Sequence, residues 1–314
     1  MNHDTFWLTA NDHTRLYVNQ WIPDGSPKAV VMISHGMAEH GGRYARLAQA
    51  LCAAGLGVYA LDQRGHGRTA EAGTVGLYAE TDGWNKVVGD LASLNQHIGQ
   101  QHSGLPIILL GHSMGSYISQ AYLLHHSASV QGAVLSGSNF QPVSLYRTAA
   151  VVARLERWRQ GPTGRSALIE FLSFGSFNNK FKPVRTPFDW LSRDPQEVDA
   201  YVTDPLCGFR CTNQFWLDML GGLQQISKAS NLAQIDKSLP ILIMGGECDP
   251  VSEGKRLKDL ADALTGTDHH AVSLKIYPQA RHEILNETNR EQVTRDLLAW
   301  LDQALTEPRP RRSE

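Results

Sequence analysis

Short apolar runs alternate with helically spaced stretches through most of this 314-residue chain. The run Ala29-Val30-Val31-Met32-Ile33-Ser34 holds no charge and reads as a strand buried on both faces. Comparable runs are Gly57-Val58-Tyr59-Ala60-Leu61, Pro106-Ile107-Ile108-Leu109-Leu110, Ala133-Val134-Leu135-Ser136 and Pro240-Ile241-Leu242-Ile243-Met244, and Val272-Ser273-Leu274-Lys275-Ile276-Tyr277 reads as a further strand. Helical stretches lie between them, near residues 44–54, 84–100, 116–124, 253–264 and 290–305. Two further strands, at 5–10 and 15–21, meet at Asn11-Asp12. Alternation of this kind predicts right-handed βαβ units. The fold class is therefore α/β, a mainly parallel, doubly wound sheet with helices on both faces.

The rhythm breaks between about Phe140 and Asp236. That stretch has helical pieces, such as residues 146–160, and Gly- and Pro-punctuated segments through 171–187, but no clean βαβ unit. It is too long for a loop. Residues 140–236 are read as a helical cap inserted into a core formed by 1–139 and 237–314. A separate second domain is disfavoured because the sheet pattern resumes only afterwards. The tail from about 306 to 314, with Pro308-Arg309-Pro310-Arg311-Arg312, is expected to be disordered.

Gly111-His112-Ser113-Met114-Gly115 is a G-x-S-x-G string. As a bare string it is weak, but an apolar strand precedes it. Behind it Tyr117, Ala121 and Leu124 fall at i, i+4 and i+7. Serine on a sharp strand-to-helix turn is a nucleophile elbow, its hydroxyl raised at the strand's carboxyl end. A serine nucleophile needs a base and an orienting acid, in the order Ser, Asp or Glu, His. Asp249 follows the strand ending at Met244, and His282 follows the strand ending at Tyr277. Glu247 competes with Asp249 and is expected in the solvated part of the turn. One oxyanion donor is the N–H of Met114. The second comes from the loop His35-Gly36-Met37-Ala38-Glu39-His40, with Met37 N–H as candidate.

Composition narrows the partners. Hydrophobic residues make up 42% and charged residues 19%, as in globular proteins. A net charge of −2 offers no field to hold nucleic acid. No apolar run is long enough to span a bilayer, and the first residues lack a signal-peptide pattern, so a cytoplasmic location is expected. Cys52, Cys207, Cys211 and Cys248 read as plain thiols. His35 and His40 suggest no metal site, for want of an H-E-x-x-H pattern or a third ligand. Neither a metal nor a cofactor is expected.

Five stretches together resemble a known family. They are His35-Gly36-Met37-Ala38-Glu39-His40, Asp62-Gln63-Arg64-Gly65-His66-Gly67, Gly111-His112-Ser113-Met114-Gly115, Gly246-Glu247-Cys248-Asp249-Pro250-Val251 and Ala280-Arg281-His282-Glu283-Ile284-Leu285-Asn286-Glu287. In this order the chain resembles α/β-hydrolases of the monoacylglycerol lipase and lysophospholipase group, sometimes placed with serine aminopeptidases. The resemblance implies an α/β-hydrolase fold, Ser113 as nucleophile, His282 as base and acid, Asp249 as its orienter, and Met37 and Met114 as oxyanion donors. Thr69 stands where the family usually has Ser. Arg64 and His66 are read as structural partners. The cap matches only near Asp204-Pro205-Leu206-Cys207-Gly208-Phe209.

The implied reaction is ester hydrolysis on a small-molecule or lipid substrate of the monoacylglycerol or lysophospholipid type. A peptidase or aminopeptidase, an acyltransferase on the same triad and a non-catalytic binding module are the alternatives. Phe140, Leu145, Trp158, Phe171, Leu172, Phe174, Phe177, Phe181 and Phe188 in the cap suggest a medium or long acyl chain, or simply packing. A stripe of Leu145, Ala149, Val152 and Leu155 is expected to face the core. The other reading is transient contact with a lipid aggregate or membrane surface through the cap.

Overall fold

A computed structural model describes residues 1–306. Among them, one eight-stranded sheet runs in the order β1-β2-β4-β3-β5-β6-β7-β8. Its strands are β1 (Asn2–Thr9), β2 (Arg15–Ile22), β3 (Ala29–Ser34), β4 (Leu56–Leu61), β5 (Ile107–His112), β6 (Gly132–Ser136), β7 (Ile241–Gly246) and β8 (Val272–Tyr277). β1 and β2 form an antiparallel pair, β2 runs antiparallel to β4, and all later pairings are parallel.

Parallel strands buried on both faces explain the uninterrupted apolar runs. In β3, Val30 and Met32 join one core while Ala29, Val31 and Ile33 join the other. In β5, Ile107 and Leu109 face the first core and Ile108 and Leu110 the second. Helices α1 (Ala45–Ala53) and α10 (Arg290–Thr306) cover the second face, through Leu47, Leu51, Val293, Leu297 and Leu301. Helices α2 (Gly83–Gln101), α3 (Met114–His126) and α9 (Lys255–Thr265) cover the first. Most of α3 is buried, as expected of a helix walled in by the sheet and by other helices.

Five helices separate β6 from β7: α4 (Val143–Gln160), α5 (Ala167–Phe174), α6 (Pro195–Thr203), α7 (Asn213–Ile226) and α8 (Ala229–Leu232). α7 is continuous with the first core through Phe215, Trp216, Met219 and Leu223, and α4 packs on α7.

The face that α4 buries differs from the expected stripe. Its buried positions are Tyr146, Ala150, Ala153 and Glu156. Leu145 and Leu155 are 51% and 60% exposed. Two alanines on the inner face let α4 lie close to α7, where a leucine would hold it off. Buried Glu156 is matched by Ser166, Arg159 and Gln160 at 2.5–3.0 Å. The expectation for the C-terminal tail lies outside the described residues, apart from Thr306, which ends α10.

Candidate active site

Every sequence-predicted site residue sits just past the carboxyl end of a parallel strand, in the loop or at the start of the helix that follows, the edge where open α/β sheets place their sites. Ser113 directly follows β5 with φ 51° and ψ −120°, a strained conformation held from both sides. Its N–H donates to Ser136 O at 2.8 Å, and its carbonyl accepts from Ser116 N–H at 2.8 Å and from Ser116 Oγ at 2.6 Å. The elbow also packs tightly on β3. A Cβ on Gly115 would come 1.9 Å from Ser34 O, so only glycine fits. Met114 opens α3, so its N–H has no partner one turn back in the helix.

Asp249 is fully buried and His282 nearly so. His282 Nδ1 lies 3.0 Å from Asp249 Oδ1. Asp249 is itself held: Oδ1 accepts from Val251 N–H at 2.8 Å, and Oδ2 from Ser252 Oγ at 3.0 Å. Glu247 is exposed, and its carboxylate accepts from Gln279 N–H. The structure thus brings Asp249 to His282 and leaves Glu247 outside. Burial alone would depress the His282 pKa, but the Asp249 carboxylate outweighs it, and the pKa lies above the ordinary histidine value.

Three contacts were not anticipated. The Trp190 ring lies 5.1 Å from the His282 ring, and the His112 ring lies 4.9 Å from it. Burial pushes His112 down to about 4, so it is neutral beside the elbow. Gly137, with φ +58°, runs close beside both imidazoles. A Cβ there would come 3.1 Å from a ring carbon of each.

The loop after β3 is locked by buried polar groups. Glu39 accepts from Gly36 N–H at 2.5 Å and from Tyr44 OH at 3.0 Å. Arg43 bridges Glu39 to Glu283. His35 Nε2 accepts from Gln63 N–H at 2.9 Å, which fixes the tautomer, so Nδ1 donates to Gly36 O. Burial depresses its pKa to about 3, so it stays neutral. Ala38, at φ +53°, offers its carbonyl to Gly208 N–H and Tyr201 OH.

Arg64 and His66 lie away from this site. Arg64 forks onto Asp90 and Asp12 at 2.7–2.8 Å, and His66 Nδ1 meets Arg64 O. Thr69 Oγ1 donates to Asp62 O and accepts from Tyr17 N–H, a role any hydroxyl at this place can fill. All four cysteines are free thiols.

Ser113, His282, Met37 and Met114 all line one cavity of about 790 Å³. Leu145, Phe171, Leu172, Phe174, Phe177 and Phe188 furnish much of its apolar wall. Of the other aromatics expected there, Phe140 packs against the first core, Phe181 lies under the Arg281 guanidinium, and Trp158 stands 87% exposed.

A family model described as serine aminopeptidase, S33, matches residues 25–289. The chain belongs to this family of α/β-hydrolases. It is 34% identical to a monoacylglycerol lipase of Mycolicibacterium smegmatis, over 91% of this chain and 92% of that one. It is 28% identical to a Homo sapiens monoglyceride lipase, over 94% and 89%. A thermostable carboxyl esterase from Bacillus coagulans, crystallised with glycerol, superposes with a TM-score of 0.90 at 25% identity, covering 98% of this chain and all of that one. This S33-family α/β-hydrolase is an ester-hydrolysing enzyme. No described helix is long and apolar enough to cross a membrane.

Proposed function

We propose that this α/β-hydrolase cleaves single-chain acyl lipids, monoacylglycerols or lysophospholipids, through Ser113, His282 and Asp249. One observation carries the reading: Ser113 and His282 open onto a cavity walled by the aromatic and leucine side chains of α5 and the segment after it. A cavity of this size with so large an apolar wall suits an acyl chain, with the ester placed against Ser113. The relatives named monoacylglycerol and monoglyceride lipase support the same substrate class.

In the proposed reaction Ser113 Oγ attacks the ester carbonyl as His282 Nε2 takes its proton. Asp249 holds the imidazole by Nδ1 and stabilises the imidazolium. The N–H groups of Met37 and Met114 hold the oxyanion, each worth about 2.7–4 kcal/mol. The alcohol leaves with the proton from His282, and water then attacks the acyl-enzyme by the same route, releasing the fatty acid. Residues 140–236 serve as the cap over this site. Leu155, Trp158, Leu168, Phe171 and Leu172 are exposed on α4 and α5, a surface suited to meeting a lipid aggregate.

A second reading has one observation in its favour. Glu170 and Glu253 line the cavity, and a carboxylate there can hold the α-ammonium of a peptide. The deciding experiment is a substrate panel: monoacylglycerols and lysophospholipids of graded chain length, p-nitrophenyl esters and aminoacyl amides. The lipid reading requires kcat/KM to rise with acyl length. Preference for aminoacyl amides overturns it.

A further inference from the structure

His40 ends the loop after β3, and Asp204 and Cys207 lie just past α6. His40 Nε2 stands 2.9 Å from Asp204 Oδ2. The nitrogen, oxygen and sulfur ligand atoms of the three side chains all lie within 4.8 Å of one another. Ligand atoms around a tetrahedral zinc are about 3.3–3.8 Å apart, from its bond lengths, so side-chain movements of roughly an ångström close the set. We propose that His40, Asp204 and Cys207 bind a zinc-class divalent cation that clamps the 35–40 loop to the inserted helices.

Donor chemistry selects the ion. Imidazole, carboxylate and thiolate together suit Zn²⁺, Co²⁺ or Cd²⁺ and not Mg²⁺ or Ca²⁺, which take oxygen sets. The backbone sets the ligands in place. Cys207 N–H donates to Asp204 O at 3.0 Å, and Leu206 N–H to Asp204 Oδ1 at 2.9 Å. This turn folds the thiol beside the carboxylate and leaves Oδ2 facing His40. The neighbouring cation, Arg43, is matched by Glu39 and Glu283, so it does not oppose a metal. All three ligands are half-buried, reachable from solvent yet partly dehydrated. None of them lines the cavity, so an ion here leaves the way to Ser113 open. As the metal–sulfur bond forms, the thiol proton passes to the buffer, and water takes the fourth position.

The loop and the insertion already meet where Ala38 O accepts from Gly208 N–H and Tyr201 OH. A metal adds a stronger tie at the same junction. His40 and Asp204 are 164 residues apart in sequence, so no ligand spacing reveals such a set, which only tertiary contact brings together.

Titration of the full-length protein with Co²⁺ tests the site. One equivalent should produce sulfur-to-cobalt charge-transfer absorption, and one equivalent of Zn²⁺ should bleach it. Cys207→Ser should abolish the band, while Cys211→Ser and Cys248→Ser keep it. Asp204→Asn should weaken Zn²⁺ binding by at least about tenfold. Saturating Zn²⁺ should raise the Tm of the wild type and leave that of Cys207→Ser unchanged. A wild type without the band, or a band that survives Cys207→Ser, overturns the proposal.

Discussion

Arg43 closes a two-pronged hydrogen bond on Glu283, at 2.7 and 2.8 Å, one residue past His282. The same guanidinium bonds Glu39, which holds Gly36 N–H in the loop after β3. One side chain therefore couples the segment proposed to hold the oxyanion to the segment bearing the proposed base. Arg43→Met would strand two buried carboxylates and should destabilise the fold by about 3–5 kcal/mol. Arg43→Lys keeps the charge but loses the fork. It should fold, and its kcat should fall about 10- to 100-fold with KM little changed. Thermal melts together with steady-state kinetics check both; unchanged kcat in Arg43→Lys refutes the coupling.

Ser113→Ala removes one oxygen from a turn whose backbone bonds remain. The fold should be unaffected, while kcat falls by about 10⁵- to 10⁶-fold, the scale on which triad serines act. Ester hydrolysis near the wild-type rate would end the assignment. Loss of fluorophosphonate labelling reports the same residue independently.

Asp249 and Glu247 share a loop but not an environment. Asp249→Asn should lower kcat by about 10³- to 10⁴-fold, because an amide neither fixes the tautomer nor supports the imidazolium. Glu247→Gln should change little. The pH profile gives a second reading. His282 must be neutral to act as base, and its pKa is raised by Asp249. Activity is therefore present above that pKa and lost as pH falls through it. Removing the Asp249 charge lowers the pKa, so the acid limb of kcat/KM in Asp249→Asn should move to lower pH. A limb that stays in place would mean that another group sets it.

The exposed face of α4 and α5 predicts an interfacial effect. Leu155 is 60% exposed and Trp158 87%, so Leu155→Asp and Trp158→Asp should leave the Tm nearly unchanged. Binding to phospholipid vesicles and the rise in rate above the aggregation threshold of a long-chain monoacylglycerol should both diminish. Hydrolysis of a short soluble ester should not. If both activities fall equally, the face has no role at an interface.

Much of this protein was legible in its sequence because much of it is locally determined. Uninterrupted apolar runs such as 29–34 and 107–110, short and rich in β-branched residues, fit a strand buried on both faces, and the stretches between them repeat near 3.6 residues. The alternation alone implied the α/β architecture. Ser113 was legible because a strand, two glycines and a helix surround it, and Asp249 and His282 because each follows a strand end. What remained depended on contacts between distant segments. The preference for Asp249 over Glu247 could be read from the turn, but its full burial and its 3.0 Å contact with His282 come from the folded chain. The stripe on α4 misled because amphipathic spacing records where apolar residues lie, not which face a neighbour presses on. Small Ala150 and Ala153 allow close approach, Leu155 is left outside, and Leu145 stands at the cavity wall. Arg43 with Glu283, and His40 with Asp204, are joined across 240 and 164 residues. No periodicity encodes such pairs, because they form only when the loops at the sheet's carboxyl edge close over one another.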